Sequence, residues 1–346
     1  MLLSEFDFPF DPALVADHPV IPRDRARMLV VERASGARRH HHVADLPSLL
    51  QPGDLVVVNN TKVMPARVPA HVRSTDKLID LLFVQDLGQG VWEVLIKGRF
   101  RPGSTIVFPD GGEGKILERS QTRTTLKFTG QASVYDLMQA AGTMPLPPYI
   151  KRLPTQDDLQ WYQTMFAQHE GAIAAPTAGL HFTRDLVEAL VGKGIELAQV
   201  TLHVGAGTFR SVKSERIEDH RMLAERVEVS DHTVEQIRRV RARGNRVVAV
   251  GTTVVRALET AARGGTGIVP FQGAAELFIT PGFEFQVIDA LVTNFHLPRT
   301  TLLMLVSALV GVGPLREAYK EAVAKRYRFY SYGDAMLIGT GWAGAT

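Results

Sequence analysis

Hydrophobic and polar positions alternate differently in three stretches of the chain. The run Leu55-Val56-Val57-Val58 has no polar break, which predicts a strand buried on both faces, and it ends in the polar cluster Asn59-Asn60-Thr61-Lys62. From 64 to 142 the texture changes to short alternating runs at 67–73, 77–85, 91–97, 105–108, 115–119 and 122–128. Turns such as Leu87-Gly88-Gln89-Gly90 and Arg101-Pro102-Gly103 separate them, the pattern of a small antiparallel barrel or sandwich. One helix is predicted there, 134–141, with Ser133 as its N-cap. After Met144-Pro145-Leu146-Pro147-Pro148, strands are predicted at 172–175, 195–203, 246–251, 276–280, 290–294 and 335–338. Helices are predicted at 184–192, 231–243, 254–263, 300–310 and 314–328, with Thr183 and Ser230 as N-caps and Gly194 and Gly244 as stops. This alternation predicts an α/β fold: a barrel-like, largely parallel α/β domain formed by 1–64 plus 146–346. Residues 65–145 are expected to form an inserted small antiparallel β-barrel domain.

Composition narrows the setting. A chain of 346 residues with 45% hydrophobic content can bury a sizeable core. It has 0 cysteines, so thiolate chemistry is excluded and a reducing compartment suits it. The start, Met-Leu-Leu-Ser-Glu-Phe-Asp-Phe, lacks the basic then apolar pattern of a signal peptide. The apolar run 302–312 is too short for a bilayer and reads as a buried helix. A cytoplasmic monomer without membrane contact is expected. The net charge of +3 is compatible with an RNA partner but does not by itself suggest one.

Chemistry concentrates where strands end. One run closes in Thr177, Gly179 and His181, and another in Thr201, His203, Gly205, Gly207 and Thr208. Glycine there lets backbone N–H groups approach a ligand closely, though each turn alone also fits a core histidine beside a tight turn. Gly251-Thr252-Thr253 opens a helix that carries Arg256, and it suits an anion or carboxylate as well as it suits an ordinary N-cap. Asn294 and His296 end a further strand, and Ser331, Tyr332 and Asp334 sit in an aromatic-rich stretch near the C-terminus. The His40-His41-His42 triplet reads as a surface loop. The strand-end histidines follow no metal-ligand spacing, and neither a dinucleotide-binding glycine turn nor a Walker lysine occurs. A metal-free acid/base site for an adenosine-like or sugar substrate fits best; a metal-dependent barrel hydrolase is the alternative that three strand-end histidines leave open.

The motifs Ala175-Pro176-Thr177-Ala178-Gly179-Leu180-His181-Phe182, Thr201-Leu202-His203-Val204-Gly205-Ala206-Gly207-Thr208-Phe209, Val250-Gly251-Thr252-Thr253, Val292-Thr293-Asn294-Phe295-His296-Leu297-Pro298 and Ser331-Tyr332-Gly333-Asp334-Ala335-Met336 stand in one order. With Pro22-Arg23-Asp24 and Asn59-Asn60-Thr61 they closely resemble the S-adenosylmethionine:tRNA ribosyltransferase-isomerases of queuosine biosynthesis. The resemblance implies a transferase and isomerase that consumes S-adenosylmethionine as ribosyl donor. Its acceptor would be 7-aminomethyl-7-deazaguanine at the tRNA wobble position, giving epoxyqueuosine with release of adenine and methionine. No further cofactor and no metal are expected. It also implies a barrel-like α/β domain with an inserted β-barrel, in agreement with the pattern reading.

Within that frame His203 first and His181 second are expected to carry the acid/base work, converging from strands adjoining in sequence, with Asp334 or Glu218 orienting one imidazole. Thr177, Gly179, Gly205, Gly207, Thr208, Gly251, Thr252, Thr253, Arg256, Asn294, His296, Ser331 and Tyr332 are expected to line the substrate pocket. Arg23, Arg25, Arg27, Lys97, Arg99 and Arg101 are expected to meet RNA phosphate. The insertion departs from the family pattern: Thr75-Asp76-Lys77 and Asp80 stand where a Gly-Gly-Lys turn and a glutamate are usual, and the loop 96–103 is shorter. An RNA-binding protein that kept the fold without the chemistry is therefore the second reading.

Overall fold

The apolar run Leu55-Val56-Val57-Val58 lies inside the largest sheet of the computed structural model, which describes residues 1–120, 123–205, 207, 212 and 214–342. Strands are numbered along the chain: β1 Arg27–Glu32, β2 Arg38–His42, β3 Leu55–Asn59 and β4 Thr61–Val63. Then come β5 Arg67–Val72, β6 Lys77–Asp86, β7 Val91–Ile96, β8 Thr105–Val107, β9 Glu113–Arg119 and β10 Thr124–Thr129. After them follow β11 His169–Ala172, β12 Glu196–Leu202, β13 Glu225–Val229, β14 Val247–Val250, β15 Phe271–Ala275, β16 Ala290–Asn294 and β17 Ala335–Gly339. The helices are α1 Leu46–Leu49, α2 Val134–Ala141, α3 Asp158–Trp161, α4 Arg184–Gly192, α5 Asp231–Ala242, α6 Thr252–Ala261, α7 Thr301–Val310 and α8 Val312–Ala324.

Nine strands form one mixed sheet in the order β15-β13-β12-β3-β14-β16-β17-β1-β2. Its centre, β12-β3-β14-β16, is parallel throughout, and β1 also runs parallel to β17. Strands to either side join antiparallel. Side chains of β3 alternate between two cores: Leu55 and Val57 face the cluster shared with α5 to α8, Val56 and Val58 the one shared with α1 and α4. Burial on both faces is why the run has no polar break. The parallel centre places the ends of β3, β12, β14 and β16 along one edge of the sheet, where α/β folds bind ligands.

The alternating segment closes on itself as a six-stranded antiparallel barrel, β10-β7-β6-β5-β8-β9. In β7 the odd residues are partly exposed and the even ones, Trp92, Val94 and Ile96, are buried, the period of a half-buried strand. Ser133 caps α2 by accepting from the Asp136 N–H. Ile173, just past β11, packs into the barrel core, and β11 pairs with β4, which leads into the barrel. The α/β body and the barrel therefore share packed contacts at the roots of β4 and β11.

The caps predicted at Thr183 and Ser230 form, each side chain accepting from a backbone N–H three residues on. Gly194 and Gly244 take positive φ of 80° and 75°, past the ends of their helices. Among the described residues no single helix is long and apolar enough to cross a membrane; α7 and α8 meet at an angle of 114° at Gly311. Three expectations are corrected. The strand expected at 276–280 lies instead at Phe271–Ala275: Leu277 and Ile279 are buried in alternation, but the ladder with β13 forms on the residues before them. The strand expected at 172–175 is β11, Ala172 being its last residue. The histidine triplet belongs to the edge strand β2, not to a loop, and His40 bonds Tyr327 and Glu321 on the α8 side.

Candidate active site

Pro176, which lacks an N–H, begins the short 3-10 turn Thr177–His181. At Gly179 within it, a Cβ would stand 3.1 Å from the Thr164 methyl, a tight contact. The turn docks on Asn294, the last residue of β16. Thr177 Oγ1 donates to Asn294 Oδ1 at 2.9 Å, and Asn294 Nδ2 donates to the Tyr330 carbonyl at 3.2 Å and to His181 Nε2 at 3.1 Å. A carbonyl oxygen only accepts, so Tyr330 fixes which end of the amide is nitrogen, and Nε2 of His181 must be the accepting atom. The imidazole is thus neutral with its proton on Nδ1. Burial drives its pKa down to about 3, and the nearby Arg23 charge pushes the same way.

His203 follows β12 and is only half buried. Its backbone N–H donates to the Arg226 carbonyl at 3.0 Å, and its Nδ1 lies 2.8 Å from Thr61 Oγ1. The ring leans on Gly171, whose φ is +146° and where a Cβ would fall 2.8 Å from Nδ1, so only glycine leaves room for it. Desolvation, followed by the charges of Arg226 and His169, lowers the pKa of His203. The polar cluster after β3 holds this corner together. Asn59 Nδ2 donates to the Leu202 carbonyl at 2.9 Å, and its Oδ1 accepts from the N–H of Leu202 and of Thr61, both at 3.1 Å. Thr201 Oγ1 donates to Asn60 Oδ1 at 2.7 Å. Asn59, Asn60 and Thr61 are site residues that the sequence reading noted as a strand-end cluster without giving them a role.

The Gly205 turn rests on a buried ion pair. Gly205 N–H donates to Glu225 Oε1 at 3.1 Å, while Glu225 Oε2 accepts from Arg256, whose other N–H groups reach the Leu277 and Ala275 carbonyls at 3.2 Å. Arg256 is therefore committed to structure and not free for substrate as expected. Gly251, with φ +93°, precedes α6 and approaches Ala178 of the Thr177–His181 turn, so Thr252 and Thr253 open a helix beside that turn. Gly207 lies within reach of Leu223; Thr208 lies outside the described residues.

Several other expected roles are corrected. Asp334 orients no histidine: its carboxylate accepts from the N–H of Arg27 and of Arg328 and pairs with the Arg27 side chain. Arg27 pairs with it and also bonds the carbonyls of Lys325 and Arg326, with the Tyr327 ring 3.9 Å away and its side chain 38% exposed. Glu218 is exposed and pairs with the N-terminal amine and Arg216. His296 is buried against Thr293 Oγ1 at 3.0 Å, and burial holds its pKa at about 3, the signature of a structural histidine. The Ser331 and Tyr149 hydroxyls share a hydrogen bond at 2.6 Å, and Tyr332 donates to Asp158 at 3.0 Å. Asp158, fully buried, also binds Arg152 and the Thr155 N–H; together these hold its pKa at about 2 against the opposing cost of burial. His181 and His203 do not converge. One bonds the end of β16 and the other ends β12, with β3 and β14 between them, on the order of 14 Å of sheet.

Arg23 is half-buried. It walls a cleft of about 390 Å³ beside Leu180 and Phe182, the residues flanking His181. Arg25 is exposed, as are Lys97, Arg99 and Arg101 on the barrel. Among the described residues, no group of three histidine, aspartate or glutamate side chains is placed to hold a metal ion.

The sequence model of the family described as Queuosine biosynthesis protein matches residues 3–338. The chain is 46% identical to the S-adenosylmethionine:tRNA ribosyltransferase-isomerase of Citrifermentans bemidjiense, over 98% of this chain and 100% of that one. It is 47% identical to the protein of that name from Stenotrophomonas maltophilia, with 98% of each covered. A crystal structure of S-adenosylmethionine tRNA ribosyltransferase from Thermotoga maritima matches with a TM-score of 0.55 at 38% identity, covering 97% of this chain and 100% of that one. Matched nearly from end to end by the family model and by these relatives, the chain belongs to the queuosine biosynthesis protein family.

Proposed function

We propose that the chain transfers and isomerises the ribosyl group of S-adenosylmethionine onto the aminomethyl group of 7-aminomethyl-7-deazaguanine in tRNA, giving epoxyqueuosine. The observation that carries the assignment of the site is His203. It is a half-exposed imidazole, biased to the neutral form, held by Thr61 at the strand edge where the barrel insertion leaves the α/β body. Thr61 Oγ1 also lies 3.5 Å from the His169 carbonyl, which only accepts. This supports a hydroxyl proton turned to that carbonyl, Nδ1–H donated to Thr61, and a lone pair left on Nε2. A neutral Nε2 can take the proton that an aminomethyl group must lose before its nitrogen forms the new C–N bond. His181, with Nε2 occupied by Asn294, serves in this reading to position the Thr177–His181 turn. A tRNA acceptor supports a cytoplasmic place of work.

Incubation of the protein with S-adenosylmethionine and precursor-bearing tRNA, followed by nucleoside mass spectrometry, should show epoxyqueuosine together with free adenine. Activity is expected to survive chelation. Binding of tRNA with no adenine release would favour the reading in which the fold persists without the chemistry.

The barrel supplies the RNA surface in this proposal. Lys97, Arg99 and Arg101 project from a loop pinned by Arg119, which donates to the Ile96 carbonyl at 3.3 Å and the Gly98 carbonyl at 3.0 Å. Neutralising each of these three, or Arg25, should lower the log–log salt slope of tRNA binding by about one unit or slightly less. A slope unmoved by all four changes would place the tRNA on another face.

A further inference from the structure

Arg23 is a half-buried cation that makes no ion pair among the described residues. One N–H of its guanidinium donates to the Trp161 carbonyl, and the Tyr332 ring lies 5.5 Å from its carbon. Among the described residues no carboxylate pairs with it; neighbouring Asp24 accepts instead from Thr183 Oγ1 at 2.7 Å. Burial lowers its pKa to about 10, the cost of holding a charge away from water without a partner. Thr164 also lines this cleft: it is 4% exposed, and its hydroxyl has no hydrogen-bond partner among the described residues. Met165, Leu180 and Phe182 give the cleft an apolar side, and Gln160 offers an amide.

A half-buried cation without an ion pair and an unmatched hydroxyl along one cleft suit an anionic, hydrogen-bonding ligand. The volume, about 390 Å³, lies within the range of small-molecule sites. The cleft is tied to the proposed chemistry on two sides. Leu180 and Phe182 flank His181, and Gln163 bonds both backbone groups of Val63, two residues along β4 from the Thr61 that holds His203. We infer that this cleft is the S-adenosylmethionine site, with Arg23 and Thr164 taking the carboxylate of the methionyl end and Met165, Leu180 and Phe182 its aliphatic part. The inference rests on the proposed function, and it moves Arg23 from the RNA surface to the small-molecule substrate.

Calorimetry with two ligands tests it: S-adenosylmethionine, and its decarboxylated form, the same sulfonium without the carboxylate. The parent protein should prefer S-adenosylmethionine by about 10- to 100-fold, the range of hydrogen bonds to a charged group. Arg23→Gln should bind the two alike, with the salt slope of tRNA binding unchanged. A preference that survives in Arg23→Gln overturns the assignment, as does a salt slope lowered by about one unit, which would put Arg23 on a phosphate. Thr164→Val removes no existing hydrogen bond, so it should fold as the parent does and bind S-adenosylmethionine several-fold more weakly. Should Arg23→Gln fail to fold, unchanged affinity in Thr164→Val overturns the proposal. A parent protein that binds S-adenosylmethionine neither alone nor with tRNA would instead overturn the functional reading itself.

Discussion

His203→Ala is expected to turn over about two to four orders of magnitude more slowly than the parent, the usual loss when a general acid or base is removed. Binding of S-adenosylmethionine should fall far less, because the cleft proposed for it is walled by other residues. The pH profile gives a second readout. Desolvation first, then the Arg226 and His169 charges, lower the pKa of His203 below its ordinary value of about 6.5. A lowered pKa means that the ring loses its proton at lower pH, so the basic form prevails at neutrality. The parent kcat/KM should therefore fall only as pH drops through a value below about 6.5, and His203→Ala should lose that limb. Thr61→Val, which removes the hydroxyl on Nδ1 but leaves the ring, should move the limb and cost less. Near-parental turnover in His203→Ala would end the assignment, with the family membership untouched.

Glu225→Ala is expected to destabilise the fold by about 3–5 kcal/mol, the cost of leaving one member of a buried ion pair without its partner. Arg256 and Glu225 are both nearly buried, at 6% and 7% exposed, and the guanidinium would keep only the Leu277 and Ala275 carbonyls. The same substitution removes the acceptor for the Gly205 N–H, so the turn after His203 loses an anchor. Glu225→Gln retains an acceptor at similar volume and should cost less. Chemical denaturation measures both; a Glu225→Ala protein within about 1 kcal/mol of the parent would show that the pair contributes little.

The pair also marks a boundary of what the sequence discloses. Arg256 sits on a helix that opens with Gly-Thr-Thr, so a ligand-facing guanidinium was a fair expectation from spacing. Its partner lies 31 residues upstream on β13, a strand the hydrophobic pattern did not reveal. Glu225–Val229 alternates in burial like other half-buried strands, but it is only 5 residues long and its register depends on β12 and β15. Asp334 teaches the same lesson. An acid near strand-end histidines reads as their orienter, yet the chain returns it to Arg27 and Arg328.

Local chemistry, by contrast, was legible residue by residue. The caps at Ser133, Thr183 and Ser230, the positive-φ glycines at 194 and 244, the unbroken apolar run of β3 and the alternation that builds the barrel all follow from short-range stereochemistry and the period of burial. The motif order in turn declared the family. None of these required knowing which strand lies beside which. The sheet order put β3 and β14 between the two histidines, left His181 neutral beneath Asn294, set His203 against Thr61 and Gly171, and placed Arg23 along a cleft. The sequence by itself determined elements, caps and family, because those depend on neighbours along the chain. Only the tertiary structure decided which polar groups are spent on each other and which stay free for substrate, because partners 100 or more residues apart, such as Thr61 and His203 at 142, meet only when the sheet forms.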